Sequence, residues 1–470
     1  MDRHRHRPGP QLNLPFALPA PPVNTSSFTP SPATPGTKAQ AIRDQLPPGG
    51  LFLDHAWRIS PDPFTLDPEL ATQLDRLGRV LLQFNRAVNL LYRHSVDGRM
   101  PMWIAQWLDQ GKPRFLVDLQ RHLMLKNEWP RVIRPDLLLT DNGLAITELD
   151  AVPGGIGLTA WLNQVYSGFG VDVVGGARGM IEGFAGIFAN ASKVYIVISA
   201  ESATYRPEME WLCAALNRHG DARFEVRDAT PFVPQDGAAV YRFYELFDWA
   251  NVPAADSLAE LALNRRIQLT PPPKPLFEEK LLFALLWNRR LQPFWRRELG
   301  DRFFSELQKL VPQTWVVDPT PLPPQAAIPG LELADWQELK SLSQRERQLI
   351  LKVSGYSSTA WGARGVFLGS DLSATDWAAV VDRALETFPQ SPFILQRYAK
   401  PKILQAAFFD FSRQELQPMP GRARLCPYYF IHGNGDDARA HLGGVLATVC
   451  PADKKLLHGM RDAVLTPCTA

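Results

Sequence analysis

The sequence predicts an α/β (α+β) fold made of several structural units. Its 470 residues exceed the usual length of one domain, so two to four units are expected. Short apolar runs alternate with helical patterns between residues 194 and 248, which is typical of a small α/β layer. Upstream, the pattern over residues 134–150 predicts two short strands joined by a turn.

Composition is ordinary for a globular protein and indicates neither a nucleic-acid nor a membrane partner. Hydrophobic residues make up 45%, charged residues 21%, and the formal net charge is +2. No apolar run reaches the roughly 18 residues that a membrane helix needs. We expect reduced thiols and a cytoplasmic protein, because the four cysteines form no CxxC pair. They are Cys213, Cys426, Cys450 and Cys468.

Proline-rich segments divide the chain. Residues 1–50 are dense in Pro, Ser, Thr and Gly and are predicted to be a disordered leader. Residues 51–157 are expected to contain N-terminal helices and the hairpin. A Rossmann-like layer is predicted over 158–270. The stretch TPPPKP then opens the last unit, 271–470.

Local patterns place individual elements inside these units. Apolar spacing predicts helices over 74–92, 115–126 and 209–220. A long helix is predicted for FEEKLLFALLWNRRLQPFWRREL, residues 277–299. Strands are predicted over 194–199, 224–228 and 239–248.

The hairpin gathers charged residues at fixed spacing. Side chains alternate faces along a strand, so Arg134 and Asp136 share one face, as do Glu148 and Asp150. A three-residue turn, Asp141-Asn142-Gly143, would place Arg134 opposite Asp150 and Asp136 opposite Glu148. A two-residue turn of Asn and Gly would put Asp136 and Glu148 on opposite faces.

Three carboxylates on one patch repel each other, which gains nothing structurally. A magnesium ion would remove that repulsion, because Mg²⁺ binds a few carboxylates together with phosphate oxygens. The alternative is an exposed hairpin in which Arg134 pairs with its acidic neighbours. The hairpin pattern alone leaves both interpretations open.

The pattern R-x-D followed by E-x-(N/D) resembles the magnesium-binding hairpin of glutathionylspermidine synthases and related circularly permuted ATP-grasp proteins. In those proteins the hairpin precedes the ATP-binding lysines, which is the order found here. The resemblance covers about residues 115–470 and implies a permuted ATP-grasp core with an inserted Rossmann-like pre-ATP-grasp layer. Asp150 departs from the family, which usually has Asn at this position.

Three further blocks resemble ATP-binding segments of that family. PPPKPLFEEKLLFALLW resembles the helix with the first lysine, and LKVSGYSSTAWGARGV resembles the second lysine with its glycine-rich loop. PFILQRYAKP resembles the hinge beside adenine. The residues that these blocks assign to the nucleotide are Lys280, Lys352, Gly355, Gly362, Arg364, Gly365, Gln396 and Tyr398.

The resemblance implies an ATP- and Mg²⁺-dependent carboxylate–amine ligase that forms an amide through an acyl phosphate. Asp136, Glu148 and Asp150 would bind the metal, and Arg134 and Glu148 would be catalytic. The substrates would be a small-molecule or peptide acid and an amine. The resemblance does not imply that glutathione and spermidine themselves are the substrates of this chain.

Other functions compete with this one. An ATP-grasp phosphotransferase would use the same site. A non-catalytic ATP-binding protein would also retain the lysines that bind the nucleotide. A dinucleotide enzyme is the third alternative, because Gly155, Gly157 and Ala160 nominally fit G-x-G-x-x-A with Asp172 downstream. GGARG (175–179) lacks the Lys-Ser/Thr pair of a P-loop.

The sequence assigns no role to four polar residues near the carboxyl terminus. Arg424, His432, His441 and His458 lie among predicted strands. The histidine spacings match no zinc pattern, so satisfied or solvated side chains are expected.

Overall fold

The structure is a computed structural model that describes residues 34–470, except for 55, 221–222, 324, 361–363 and 458. The fold is mixed α/β, as predicted. Its α-helices are α1 (Pro35–Asp44), α2 (Gly50–Leu53), α3 (Pro68–Val96), α4 (Trp103–Asp109), α5 (Arg114–Arg121), α6 (Ile156–Gly168), α7 (Gly179–Gly186), α8 (Arg206–His219), α9 (Ala255–Leu263), α10 (Leu281–Trp287), α11 (Gln292–Leu310) and α12 (Ala374–Glu386).

Within these described ranges the strands form three sheets. They are β1 (Arg58–Ile59), β2 (Phe64–Thr65), β3 (Val132–Thr140), β4 (Gly143–Asp150), β5 (Val194–Ile198), β6 (Phe224–Asp228), β7 (Ala239–Phe243), β8 (Gln268–Thr270), β9 (Thr314–Val316), β10 (Leu349–Val353), β11 (Val366–Leu368), β12 (Phe393–Arg397), β13 (Leu404–Asp410), β14 (Glu415–His432), β15 (Arg439–Pro451) and β16 (Val464–Thr469).

The large sheet has the order β1-β16-β15-β14-β3-β4, with β13 added beside β14 and β2 beside β16. Alternation gives this sheet two different faces. One face is apolar and packs on α3, for example through Leu137, Leu425 and Tyr429. Residues one position along, such as Asp136 and Arg424, therefore point to the opposite face.

A small antiparallel sheet, β11-β10-β12-β9, has the same two-faced construction. Leu351, Val353 and Leu395 pack in one cluster with Trp377 of α12. Helix α12 begins with Ser373 as its N-cap, whose hydroxyl accepts from the N–H of Asp376 at 3.1 Å. The helix covers one face of the sheet, so its other face can border a ligand site.

A parallel sheet, β6-β5-β7-β8, forms the predicted α/β layer. The strands predicted at 194–199 and 224–228 and the helix predicted at 209–220 are confirmed as β5, β6 and α8. The segment predicted as a strand over 239–248 is a strand only to Phe243, and a 3₁₀ helix follows at Leu246–Asn251. Strand order reverses between β5 and β7, which makes their carboxyl ends a switch point.

Three predicted elements need correction. The leader was expected to be disordered through residue 50, but Pro35–Asp44 form α1, which buries Ala39 and Ile42. Residues 1–33 lie outside the described residues. The helix predicted over 115–126 ends at Arg121 and continues as a 3₁₀ turn, whereas the one predicted over 74–92 extends to 68–96.

The long helix predicted over 277–299 is also wrong. Asn288 is extended (φ −66°, ψ 119°) and separates α10 from α11. Pro293 lies in the first turn of α11, where its missing N–H leaves no hydrogen bond unmade. Proline therefore starts a second helix here, and the apolar periodicity across it belongs to two elements.

No helix in the described part of the chain is both long enough and apolar enough to span a bilayer.

The glycines of the nominal dinucleotide fingerprint are explained by packing of helix α6 on helix α8. A Cβ on Gly157 would lie 2.2 Å from the carbonyl oxygen of Glu208. The Glu208 carboxylate also accepts the N–H of Gly155 at 2.7 Å and that of Leu158 at 3.0 Å. A buried side chain therefore occupies the helix N-terminus that a pyrophosphate would need.

Gly157→Ala should destabilise the protein by about 1–3 kcal/mol, because backbone cannot move away from the new methyl group without disturbing the α6–α8 contact. Gly168→Ala in the same helix is the matched control, since a Cβ there meets nothing within 4 Å. The control should be neutral or slightly stabilising. Urea unfolding of both variants measures the difference, and equal stabilities would contradict the packing explanation.

Candidate functional site

A cavity of about 520 Å³ lies where the face of the large sheet opposite α3 and the open face of the small sheet meet the carboxyl ends of β5 and β7. Most of the predicted site residues come together in its wall, although they are spread over more than half of the chain. Those that line it are Arg134, Asp136, Glu148, Asp150, Lys280, Lys352, Gly355, Arg364 and Tyr398.

The hairpin register next to the cavity is the predicted one: Arg134 lies opposite Asp150 and Asp136 opposite Glu148. The turn, however, is neither of the two that the sequence left open. Thr140 pairs with Gly143, so the turn contains only two residues, 141–142. A β-bulge after Asp136 inserts Thr147 and shifts the pairing by one residue. The bulge therefore produces the register that a longer turn was expected to give.

Arg134 lies between two carboxylates of the hairpin. Its Nη2 is 3.2 Å from Asp136 Oδ1 and 2.9 Å from Asp150 Oδ2. Burial alone would lower the pKa of Arg134, but the charges of Asp136 and Asp150 outweigh it and hold that pKa well above its usual value. Arg134 is therefore a permanent cation at the centre of the patch.

Arg424, which the sequence left without a role, binds the other side of Asp136. Its Nη1 lies 3.1 Å from Asp136 Oδ2. The neighbouring Cys426 donates its thiol to Asp136 Oδ1 over 3.4 Å, and burial raises the pKa of that thiol to about 12. Asp136 thus has two guanidinium partners and one thiol, while the pKa of Asp150 is raised by burial against the opposing charge of Arg134.

Glu148 pairs with Lys280, with Oε1 and Nζ 2.9 Å apart. Lys280 is the residue before α10, so its side chain leaves the start of an otherwise buried helix. Its ammonium also approaches the carbonyl oxygens of Ser354 at 3.4 Å and Ala360 at 3.3 Å. Burial lowers the pKa of Lys280, but Glu148 and other nearby carboxylates raise it more, so the lysine is charged.

Lys352 lies on the open face of β10 because its neighbours Leu351 and Val353 face the core under α12. Its Nζ donates to the carbonyl oxygen of Thr147 at 3.0 Å and to Gln396 Oε1 at 2.9 Å. The bulge makes that Thr147 carbonyl available. Burial lowers the pKa of Lys352 to about 8, only partly offset by Glu148.

The predicted metal set is not assembled as a cluster. Among the residues that the structure describes, no group of three or more His, Cys, Asp or Glu side chains is placed to hold a metal ion. Asp136 and Asp150 are bound by Arg134, and Glu148 is bound by Lys280. The pairing interpretation of Arg134 therefore describes this structure.

The glycine-rich segment contributes unevenly. Gly355, Tyr356, Ser357, Ala360 and Arg364 line the cavity, whereas Gly362 lies outside the described residues. Gly365 does not line it. A Cβ on Gly365 would lie 2.7 Å from Val353 Cγ2 and 2.7 Å from the Thr359 carbonyl oxygen, so close packing explains this glycine.

Gln396 and Tyr398, predicted to lie beside adenine, have different positions. Gln396 is 1% exposed and does not line the cavity. Its side chain accepts from Lys352 and donates to Thr314 Oγ1 at 2.9 Å, so it orients the lysine. Tyr398 lines the cavity and donates its hydroxyl to the carbonyl oxygen of Lys455 at 3.1 Å.

The α/β layer adds an acidic wall that sequence reasoning missed. Glu245 follows β7 at the switch point and shares a hydrogen bond with Glu278. Burial and the charge of Glu278 hold the pKa of Glu245 well above its usual range. Arg242 Nη2 lies 2.6 Å from Glu278 Oε1. The end of a parallel strand, next to a crossover, was the signal that could have indicated Glu245.

The C-terminal histidines lie apart from this cavity. The rings of His432 and His441 stack with centroids 4.4 Å apart, and His432 Nε2 is 2.8 Å from the carbonyl oxygen of Gly183. Neither ring lines the cavity. His458 lies outside the described residues.

Comparison with solved structures places the fold. A glutathione synthetase-like effector (GSS30) from Globodera pallida, in apo form, matches 92% of this chain and 96% of its own with a TM-score of 0.53 and 12% identity. A protein provisionally named gamma-glutamylcysteine synthetase, from Methylobacillus flagellatus, matches 80% and 86% with a TM-score of 0.39 and 13% identity. Only the first likeness is close enough to show a shared fold.

No family model matches the sequence, and a search of curated proteins gives no match.

The depressed pKa of Lys352 has a measurable consequence. Its folded pKa of about 8 lies below the unfolded value of 10.5, so between these pH values the unfolded chain binds more protons. Stability should therefore rise with pH across this window, by up to about 3 kcal/mol. Lys352→Met should lack this rise. Urea unfolding of the wild type and Lys352→Met at pH 7.5, 9 and 10 measures this rise in stability. If the difference in unfolding free energy between the two proteins is the same at all three pH values, the lowered pKa of Lys352 is contradicted.

Proposed function

We propose that the chain is an ATP- and Mg²⁺-dependent carboxylate–amine ligase with a circularly permuted ATP-grasp core. The observation that carries the proposal is the meeting of Lys280 and Lys352 with the hairpin residues Arg134, Glu148 and Asp150 in one cavity. The order of these segments in the chain, hairpin first and lysines later, supports the permuted arrangement.

Lys352 and Lys280 would bind the phosphates of the nucleotide. Lys352 is only 6% exposed and has neutral hydrogen-bond partners, so burial of its charge is costly without an anion. A triphosphate would provide that anion and raise the pKa of Lys352 again. Lys280 would bind a second phosphate. A costly buried cation that faces a cavity is typical of a ligand site.

Magnesium fits this site as a partner of the nucleotide. Mg²⁺ is commonly held by one or two carboxylates together with substrate phosphates. Glu148, whose side chain is 41% exposed, can turn toward such an ion at the expense of one lysine contact. Asp136 and Asp150 would have to give up Arg134. Glu148 is therefore the principal proposed ligand, and the bound ion would neutralise phosphate charge.

Arg134 and Arg424 would bind the acid substrate. In the proposed reaction a substrate carboxylate oxygen forms a bond to the γ-phosphorus of ATP, the bond to the ADP oxygen breaks, and ADP leaves. An amine then attacks the acyl carbon, inorganic phosphate leaves, and the nitrogen loses a proton. Arg134 and Arg424 would hold the acid and stabilise negative charge that develops on it.

An ATP-grasp phosphotransferase would use the same phosphate-binding residues. The products separate the two reactions, because a ligase releases inorganic phosphate together with an amide and a phosphotransferase forms a phosphoester. The dinucleotide alternative is disfavoured by Glu208, which occupies the helix N-terminus where a pyrophosphate would bind.

Calorimetry with a non-hydrolysable ATP analogue, with and without Mg²⁺, tests the proposal directly. The wild type should bind in a magnesium-dependent manner, and Lys352→Ala should bind at least about tenfold more weakly because a charge-assisted contact is lost. Lys309→Ala, which removes an exposed lysine of α11, is the control and should bind normally. No binding by the folded wild type would reject the proposal.

Glu148→Gln should abolish ADP formation, because the amide cannot replace a carboxylate that binds a metal ion. The fold should be retained, since the Glu148 side chain is 41% exposed and the glutamine oxygen can still accept a hydrogen bond from Lys280. Coupled ADP release is measured across a panel of acids and amines, with circular dichroism as the folding control. Retained turnover would refute the metal assignment.

A further inference from the structure

A buried carboxylate next to Lys280 holds the start of the glycine-rich segment. Glu279 Oε1 lies 2.5 Å from Lys112 Nζ, and the two side chains are 1% and 0% exposed. Glu279 Oε2 accepts the N–H of Gly355 at 2.9 Å and also the hydroxyl of Ser354. Neither Glu279 nor Lys112 lines the cavity, so neither has a role in the chemistry proposed above.

Lys112 is itself held in a fixed place. It lies in the connection between α4 and α5, where Gly111 has φ 73° and a Cβ would lie 1.9 Å from the carbonyl oxygen of Gln390. Gln110 Nε2 donates to the carbonyl oxygen of Pro389 at 2.7 Å. The Lys112–Glu279 pair therefore joins the N-terminal helices, the Lys280 segment and the small sheet at one point.

Glu279 and Lys280 both form hydrogen bonds with the segment that begins at Ser354. Glu279 binds the Ser354 hydroxyl and the Gly355 N–H, while Lys280 binds the Ser354 and Ala360 carbonyl oxygens. A Cβ on Gly355 would lie 2.9 Å from Glu279 Oε1, so the carboxylate rests directly against this glycine. These contacts fix where residues 356–360 form the cavity wall.

We infer that Glu279, with Lys112, is a positioning residue of the nucleotide site. It sets the distance between the wall formed by Tyr356, Ser357 and Ala360 and the ammonium of Lys280. A fully buried ion pair is often replaceable by apolar residues without loss of stability, so stability alone does not account for this one. The inference rests on the proposed function for its ligand, ATP, but its geometric part is independent of any ligand.

Glu279→Gln separates the two roles of the carboxylate. Both carboxylate oxygens of Glu279 accept hydrogen bonds, and an amide has only one oxygen. Leaving the buried cation Lys112 unpaired costs more than losing a neutral donor, so the amide oxygen will face Lys112. The amide NH₂ then faces the Gly355 N–H, and that hydrogen bond is lost.

Two readouts test the inference on the full chain. Hydrogen exchange followed by mass spectrometry should show at least about tenfold faster exchange in peptides that cover 352–360 of Glu279→Gln. The Kd of a non-hydrolysable ATP analogue with Mg²⁺ should rise about tenfold. Exchange and affinity that stay at wild-type values in the folded variant would overturn the inference.

Lys274→Met is the matched control for removing a buried charge. Lys274 is 1% exposed, and its ammonium binds Asn89 and the carbonyl oxygens of Leu125 and Glu128, away from the segment. This variant should leave exchange at 352–360 and the analogue Kd unchanged. If it changes both as much as Glu279→Gln does, the effect is general loosening and the inference is wrong.

A second variant covers failure to fold. Lys112→Met combined with Glu279→Leu removes both charges of the Lys112–Glu279 pair and leaves no acceptor for the Gly355 N–H. The exchange rate and the Kd should change as they do in Glu279→Gln. If the wild type binds no analogue, the proposed function fails, and exchange alone then decides the positioning role. Faster exchange would support that role, and unchanged exchange would overturn it.

Discussion

The pairing of charges in the wall of one cavity is the constraint on which this structure depends. Charged side chains of both signs meet at the hairpin, and burial makes an unpaired charge costly. Arg134 offsets Asp136 and Asp150, and Lys280 offsets Glu148. These pairs fix the sheet register, because a shift of one residue would turn the carboxylates toward the apolar core under α3. The bulge at Thr147 preserves that register across a two-residue turn.

The three sheets are arranged so that each gives one face or edge to the cavity. The small sheet packs one face on α12, whereas the large sheet packs one face on α3 and part of the other on α6 and α7. The remaining part of that second face borders the cavity and carries the charged side chains. The parallel sheet contributes only its carboxyl ends, where Glu245 follows β7. A ligand in the cavity would therefore contact the α/β layer and both other sheets, and such junctions and switch points are common positions for ligand sites.

Sequence reasoning predicted the parts of this site that local periodicity controls. Alternation along the hairpin grouped Arg134 with Asp136. Lys280 and Lys352 were predicted only from the resemblance of their segments to a known family. The turn was wrong because Asn142-Gly143 is compatible with several loop lengths, and the bulge has no clear sequence signal. Gly365 has a packing role because Val353 lies against it, a long-range contact that composition cannot show. Glu279 and Arg424 were missed as site residues for the same reason.

The Lys280–Glu148 pair bears on how a nucleotide could enter. A phosphate that binds Lys280 must displace Glu148, and the released carboxylate would then repel the phosphates nearby. ATP alone would therefore exchange one favourable ion pair for another and add a repulsion. A divalent cation that arrives with the phosphates gives Glu148 a new partner, so Glu148 and Lys280 are both paired before and after binding. In the proposed function, magnesium dependence would follow from this charge balance, because the described residues form no three-carboxylate metal site. Glu148 is the most exposed of the three hairpin carboxylates that line the cavity and is therefore the one whose partner can change.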